Sequence, residues 1–185
     1  MTLNVPIVAM KKLLISLSIL FLTSTLSAQK ILINGIYYQI KSDSVVDVTR
    51  GDQPYAGHLV VPATIGYNGK TYTVAAVAGA AFRNNRSLRS VVLPESINAI
   101  GNNAFSGCRG LRQITIPSAV SSLGRSAFEN CTSLQKVYLS DAIATLGDKV
   151  FSGCSSLTYI SLPATLDSIG NDAFLACNAL DTTDF

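Results

Sequence analysis

The sequence has few of the residues on which catalysis and metal binding depend. It has one histidine, His58, and an imidazole acts as a catalytic base only with a nucleophile beside it. The four cysteines include no Cys-x-x-Cys pair, and no glycine-rich stretch ends in the Lys-Ser or Lys-Thr of a phosphate-binding loop. The sequence therefore predicts a protein that is not an enzyme and has no cofactor or metal, with His58 exposed at a strand edge.

Charge is also scarce, since 14% of the 185 residues are charged and the formal net charge is +3. Lys11 and Lys12 precede the apolar stretch Leu13–Leu22, and small residues follow as far as Ala28, which is the layout of a secretory signal peptide. A membrane anchor needs about 20 apolar residues, and this stretch is too short and too rich in serine and threonine. Residues 1–28 are therefore predicted to be an upstream extension and a signal peptide.

Removal of residues 1–28 takes away two lysines and no acidic residue, so 12 basic and 11 acidic residues remain and the net charge is +1. A nucleic-acid partner usually requires a clustered basic face, so none is predicted. The mature chain has no second long apolar run, and no cysteine follows the signal peptide. It is therefore predicted to have no transmembrane segment and no bacterial lipid anchor, and to be secreted or located at the cell surface.

The sequence does contain a repeat of 23 residues. Phenylalanine, leucine, glycine and several aliphatic positions recur at that period, in columns that include Phe82, Phe105, Phe128, Phe151 and Phe174, then Leu88, Leu111, Leu134, Leu157 and Leu180, and Gly101, Gly124, Gly147 and Gly170. Four full units, 81–103, 104–126, 127–149 and 150–172, precede a partial fifth unit. The repeat region is therefore residues 81–185.

A strict period without insertions indicates a solenoid, because one short coil cannot bury its own apolar side. Stacked coils place identical side chains in columns about 4.8 Å apart, and these columns become the core. The stretch "LRQITI", residues 111–116, predicts one short strand per repeat on a parallel sheet. A proline ends that strand in three of the four units, and the repeated glycine fits a tight turn with positive φ.

The pattern Leu-x-x-Ile-x-Leu-Pro, followed by Ile-Gly and Ala-Phe-x-x-Cys, resembles the BspA-like leucine-rich repeat family over residues 81–180. The resemblance implies a β-rich leucine-rich-repeat solenoid with a right-handed coil, secreted or attached to the cell surface. It also implies that several relatives are adhesins for host proteins. An inward ladder of asparagine or cysteine, whose side chains help to satisfy backbone groups of the turns, is a further implication.

The cysteines recur at the same period, at Cys108, Cys131, Cys154 and Cys177, with Asn85 at the equivalent position of the first unit. Four cysteines in a secreted chain can form two disulfides, and neighbouring coils lie within the Cα distance of a disulfide. Parallel Cβ atoms about 4.8 Å apart are, however, wider than the roughly 3.8 Å that a disulfide prefers. Free buried thiols are therefore the favoured prediction, with disulfides as the alternative.

Residues 29–80 do not keep the period and are predicted to form a β-rich N-terminal cap with a modified first coil. "ILINGIYYQI" is typical of strand, with a turn at Asn34-Gly35. Asn68-Gly69 predicts a type I′ hairpin inside a nine-residue insertion relative to the standard unit. Such a segment would cover the open end of the solenoid, which terminal repeats must do.

No polar cap follows Leu180, so a fragment, a frayed last coil and a covering second chain are all left open. Residues 81–126 hold six arginines and one glutamate, a net charge of +5, whereas residues 127–185 hold two lysines and seven acidic residues, a net charge of −5. The charge is therefore polarised along the solenoid axis, which suits end-to-end self-association.

The exposed side of the sheet is the predicted recognition surface. Tyr138 and Tyr159 are expected on adjacent coils, one column apart, with Lys136 beside Tyr138 and with Arg89 and Arg112 continuing the surface. Tyrosine and arginine are enriched in binding hot spots. The predicted function is a protein-binding module, a bacterial adhesin or interaction protein, whose partner is an extracellular protein of the host matrix or a polysaccharide. The alternative is a structural solenoid that self-assembles end to end without a dedicated ligand.

Overall fold

The structure, a computed structural model, describes residues 30–181, and every regular element in this part of the chain is a β-strand. Among these residues there is therefore no helix that could span a membrane. The predicted signal peptide lies outside the described residues. The strands are β1 (Lys30–Ile33), β2 (Ile36–Ile40), β3 (Val45–Val48), β4 (Gly57–Val60), β5 (Thr64–Tyr67), β6 (Lys70–Val77), β7 (Leu88–Val92), β8 (Ala99–Ile100), β9 (Gln113–Thr115), β10 (Ser122–Leu123), β11 (Lys136–Tyr138), β12 (Thr145–Leu146), β13 (Tyr159–Ser161) and β14 (Ser168–Ile169).

The repeats stack as parallel coils, which confirms the predicted solenoid. β9, β11 and β13 pair in parallel with Val137 opposite both Ile114 and Ile160, so the register is one repeat. A second ladder joins β8, β10, β12 and β14 at the same register. Each repeat therefore contributes the predicted strand and, in addition, a two-residue strand that the sequence analysis did not predict.

The N-terminal segment contains two hairpins at the predicted positions. β1 and β2 turn through Asn34 and Gly35, with φ of 50° and 79°, and β5 and β6 turn through Asn68 and Gly69, with φ of 49° and 73°. Positive φ at both central residues is the requirement of a type I′ turn.

The same segment continues the sheets of the repeats. β4 pairs in parallel with β7, and Val60 lies opposite Val92, 32 residues on and therefore nine more than the repeat, as the insertion predicts. β3 and β6 lead into β8 within one nine-stranded sheet. The domain boundary at 80/81 and the role of residues 29–80 as a cap stay predictions.

The repeated glycines do not adopt the conformation expected of them. Positive φ occurs instead two residues later, at Asn103, Ser126, Lys149 and Asp172. Three of the four glycines are needed because the coils approach each other closely: a Cβ on Gly101, Gly124 or Gly170 would lie 2.4–2.6 Å from backbone atoms of the preceding coil, whereas one on Gly147 would lie 3.2 Å away. The prediction that these glycines have positive φ was therefore wrong. The glycine instead allows one coil to pack closely on the next.

The phenylalanine column forms an aromatic stack along the centre of the solenoid. Successive ring centroids are 4.9, 5.1, 5.4 and 5.6 Å apart, and the rings are tilted by 3–17°. The first four rings are fully buried, and Tyr55 extends the stack at its N-terminal end at 5.0 Å. The stack is therefore continuous from the N-terminal segment into the last described repeat.

Tyr55 also holds the N-terminal segment to the first repeat by hydrogen bonds. Its hydroxyl donates to the carbonyl oxygen of Thr49 at 2.8 Å and accepts from the backbone N–H of Tyr37 at 3.0 Å. Its own backbone N–H donates to Oδ1 of Asn85 at 3.1 Å. Burial raises the pKa of Tyr55, so the hydroxyl keeps its proton and its donor role.

Candidate functional site

The exposed side chains of β7, β9, β11 and β13, with those just before each strand, form one surface, here called the outer face. Alternate residues of each strand point inward, so the outward ones fall into columns across the coils. The outward residues include Arg89, Val92, Arg112, Gln113, Thr115, Lys136, Tyr138 and Tyr159. All five residues singled out in the sequence are therefore exposed.

The two tyrosines of the outer face contact each other. Tyr138 is 38% exposed and Tyr159 is 45% exposed, and their ring centroids are 5.6 Å apart with a tilt of 49°. Lys136 lies directly opposite Tyr159 in the parallel register. The rings are thus diagonal neighbours on adjacent coils. Lys136 is next to both, because it lies on the strand of Tyr138 and opposite Tyr159.

The two arginines lie on the coils that precede the tyrosines. The backbone N–H of Arg112 donates to the carbonyl oxygen of Arg89 at 3.3 Å, which fixes them as neighbours. Among residues 30–181, the salt bridges are Lys41–Asp47 and Lys70–Asp43, and both lie in the N-terminal segment. The structure therefore brings the arginines together as one pair and the tyrosines as another, on different coils.

The sheet under the outer face is interrupted between β7 and β9. β7 pairs with β4 and β9 pairs with β11, so the two pairings belong to separate sheets in the described residues. A groove of about 290 Å³ lies at the interruption, and its lining includes Val92, Gln113 and Thr115. The sequence analysis missed this groove because the break between β7 and β9 occurs once and leaves no periodic signal.

The cysteines lie in the core, one per coil, as the inward ladder requires. Each thiol donates to the carbonyl oxygen of a phenylalanine in the preceding coil, from 2.9 Å for Cys108 to 3.2 Å for Cys177. All four are free in the structure. Burial raises the pKa of Cys108 to about 12 and that of Cys177 to about 11, so both thiols are protonated donors at neutral pH.

We expect the thiols to react with iodoacetamide only after unfolding. The thiolate is the reactive species, and Cys108 and Cys177, with pKa values of about 12 and about 11, stay protonated near pH 8. All four thiols are also buried. Mass spectrometry should find no adduct on the native protein and four after denaturation without reductant. Two adducts or none on the denatured chain would establish disulfides instead.

His58 has a hydroxyl beside it but no further catalytic group. Its Nδ1 lies 2.7 Å from Oγ of Ser90, its register partner across β4 and β7, and both side chains lie at the surface. A working nucleophile and base pair also needs a third group that orients the imidazole. In the described part of the chain the structure shows none on His58, and no three histidine, cysteine or acidic side chains come together as metal ligands.

A small polar cleft lies beside the loop that ends at Tyr55. Its volume is about 240 Å³, and its lining includes Arg50, Asp52, Arg83 and Asn84. The loop is pinned at both ends because Tyr55 bonds to the carbonyl oxygen of Thr49 and to Asn85. Sequence reasoning missed this cleft because the loop lies outside the repeat.

Comparison with known proteins agrees with this architecture. The profile of the BspA type Leucine rich repeat region matches residues 76–185 in six copies. The chain is similar to a leucine rich cell surface protein from Faecalibacterium prausnitzii, with 23% identity and a TM-score of 0.61 over 84% of this chain and 54% of that one.

Two further solved structures are similar. One is a leucine-rich repeat protein from Bacteroides capillosus, with 28% identity and a TM-score of 0.50 over 83% of this chain and 95% of that one. The other is the pneumococcal vaccine antigen PcpA, with 16% identity and a TM-score of 0.59 over 80% of this chain and 48% of that one. The chain thus spans about half the length of the F. prausnitzii and pneumococcal proteins. No curated protein matches.

Proposed function

The chain belongs to the BspA-type leucine-rich repeat family, a family of bacterial surface proteins, and on this premise we propose that it is a secreted or cell-surface adhesin. In this proposal the outer face binds an extracellular protein of the host matrix. A repeat protein of this kind acts as a binding module rather than as an enzyme.

The observation that carries the proposal is the exposed contact between Tyr138 and Tyr159. Two aromatic rings that touch on an open sheet offer a large contact area with few rotatable bonds, which is the usual composition of a binding hot spot. A tyrosine hydroxyl can in addition form a hydrogen bond with a partner. Lys136 beside them favours a partner whose surface is acidic and partly apolar.

The arginines extend the complementarity toward the N-terminal coils. Arg89 and Arg112 have no carboxylate partner in the described residues, and residues 81–126 carry a net charge of +5. Unpaired exposed charge of one sign accelerates the encounter with a partner of opposite charge, and salt weakens this effect. An acidic protein would therefore approach the arginine pair and dock on the tyrosine pair.

Replacement of Tyr138 and Tyr159 by serine is expected to leave the fold intact and to weaken partner binding by more than about 2 kcal/mol, roughly thirtyfold in Kd. The variant and the wild type are used in pull-downs from extracellular matrix proteins, and the Kd of each captured, purified protein is then measured by biolayer interferometry. Circular dichroism melting checks the fold.

The matched control replaces Leu32 and Leu175 by serine. These residues are 56% and 58% exposed, and neither belongs to the strands of the outer face. The control should keep the wild-type Kd. Equal capture by all three proteins would contradict the proposal, and equal losses in both variants would show that any exposed apolar group suffices.

The alternative, end-to-end self-assembly, is supported by the charge polarity. Residues 81–126 carry +5 and residues 127–185 carry −5, so two chains in head-to-tail order would bring opposite charges together. Light scattering over a range of concentrations separates the two proposals, since assembly would raise the apparent mass with concentration and do so less at high salt.

A further inference from the structure

Four exposed arginines form a compact group beside the outer face, here called the arginine cluster: Arg86, Arg89, Arg109 and Arg112. Arg86 and Arg109 are one repeat apart, and so are Arg89 and Arg112. Arg86 and Arg109 lie in the turns that precede the strands, outside the outer face. The cluster is thus two columns of arginine on two adjacent coils.

The backbone holds these coils close together at the cluster. Gly110 packs against the first coil so tightly that a Cβ there would lie 2.5 Å from the carbonyl oxygen of Arg86. Further along the same two coils, the N–H of Arg112 donates a hydrogen bond to the carbonyl oxygen of Arg89. The arginine side chains therefore start from neighbouring, fixed positions, and Arg86, Arg89 and Arg112 line a shallow cavity of about 320 Å³.

No carboxylate neutralises the cluster within residues 30–181, where the salt bridges lie far away in the N-terminal segment. The single acidic residue of 81–126 is Glu95, and it follows the opposite end of β7. Its carboxylate accepts hydrogen bonds from the N–H of Ser118 at 3.0 Å and from the Ser118 hydroxyl at 2.7 Å, which lower its pKa. Three arginines therefore line one cavity without a counter-charge, and Arg109 immediately precedes the lining residue Gly110.

We infer that the arginine cluster is a binding site for a sulfated polysaccharide. Guanidinium groups bind the oxygens of a sulfate ester in a bidentate manner and remain charged at every physiological pH. The cavity is lined by Arg86, Ser87, Arg89, Gly110, Arg112 and Ser133. The two serine hydroxyls can therefore bond to sugar hydroxyls beside the arginines. The arginines of each column are one coil apart, and this regular spacing suits a polymer that carries several anionic groups in a row.

The lining of this cavity favours a polysaccharide over a nucleic acid. Nucleic-acid strands depend on aromatic side chains on which the bases stack, and the cavity lining contains none. The tyrosines of the outer face lie on later coils. This site goes beyond the proposed protein interface, because Arg86 and Arg109 take no part in the outer face.

Isothermal titration calorimetry with heparin as the probe tests the site on the secreted chain. The variant Arg86→Ser/Arg112→Ser, which removes two residues of the cavity lining, is expected to bind heparin at least about tenfold more weakly than the wild type, because it loses charge-assisted hydrogen bonds. The slope of log Kd against log salt should fall as well. The control Arg83→Ser/Arg125→Ser removes the same charge from exposed positions outside the cavity, and its affinity should fall less than about threefold.

Three results would overturn the inference. One is an absence of heparin binding, or equal binding of fully desulfated heparin. Another is an equal loss in the two arginine variants, which would show diffuse attraction by net charge. A third is binding of single-stranded DNA or polyphosphate as tightly as heparin, which would assign the cluster to polyanions in general. Tyr138→Ser/Tyr159→Ser should retain heparin affinity, so that failure of this site and failure of the protein interface are separate results.

Discussion

Phe128→Ala is expected to lower the free energy of unfolding by about 3–5 kcal/mol, because it removes a fully buried ring from the middle of the aromatic stack. Phe128 lies 5.1 Å from Phe105 and 5.4 Å from Phe151, nearly parallel to both. The cavity left behind cannot close, since the backbone ladders hold the coils at a fixed separation. Urea denaturation followed by circular dichroism measures the change.

Phe174→Ala is the matched control for this prediction. Phe174 is the last ring of the stack within residues 30–181, is only partly buried, and lies 5.6 Å from Phe151. Its removal should cost clearly less than that of Phe128. If the two variants unfold at the same urea concentration, full burial in the middle of the stack does not make Phe128 more stabilising than Phe174, and the prediction is wrong.

Gly124→Ala is expected to destabilise the fold by about 2–3 kcal/mol through overpacking. The added Cβ would lie 2.4 Å from the backbone nitrogen of Asn102 and 2.5 Å from the carbonyl carbon of Gly101. Backbone atoms cannot rotate away as a side chain does, so the coils themselves must separate and strain the ladder between β8 and β10. Thermal melting and urea denaturation should both show the loss.

Gly147→Ala provides a control at the same position of the next repeat. Its nearest neighbour would be the carbonyl oxygen of Leu123 at 3.2 Å, which is tight but requires only a small adjustment. The lower entropy of the unfolded alanine chain contributes up to about 1 kcal/mol of stability and offsets this contact. Near-wild-type stability is therefore expected, and an equal loss in both variants would contradict close approach as the reason for the glycine.

The stacked coils could be predicted because their residues recur. A position such as Phe105 is uninformative alone, but five phenylalanines at one period identify a buried column. The hairpins at Asn34-Gly35 and Asn68-Gly69 were predictable for a different reason, since few residues tolerate positive φ at two successive positions. The exposure of the tyrosines follows from the alternation of the same strands.

Other features could not be predicted because they depend on contacts between coils. The two-residue strands such as Ala99–Ile100 are too short to show alternation. Left-handed backbone at Asn103 and Lys149 occurs in a column without glycine, and it persists because each N–H bonds to a carbonyl of the next coil, at 2.9 Å in both cases. Tertiary hydrogen bonds therefore override the local preference of these residues.

The candidate sites show the same division. Arg86 and Arg109 are equivalent by period, yet Arg86 lines the cavity with Ser87 and Ser133 whereas Arg109 does not. The groove between β7 and β9 lies where two sheets of the solenoid meet, once in the described residues. Tyr55 joins the aromatic stack from a loop outside the repeat, and no pattern in the sequence marks it.

The cysteine ladder has a consequence for how this gene can change in length. Each thiol bonds to the phenylalanine of the coil before it, and each phenylalanine offers the same carbonyl to the coil after it. A unit duplicated in tandem would find both partners already in place, and a deleted unit would leave its neighbours compatible. The gain or loss of one unit would therefore lengthen or shorten the solenoid by about 4.8 Å, while the hydrogen bond from Tyr55 to Asn85 would still join the N-terminal segment to the first repeat. Variation among strains is expected to appear as whole coils gained or lost.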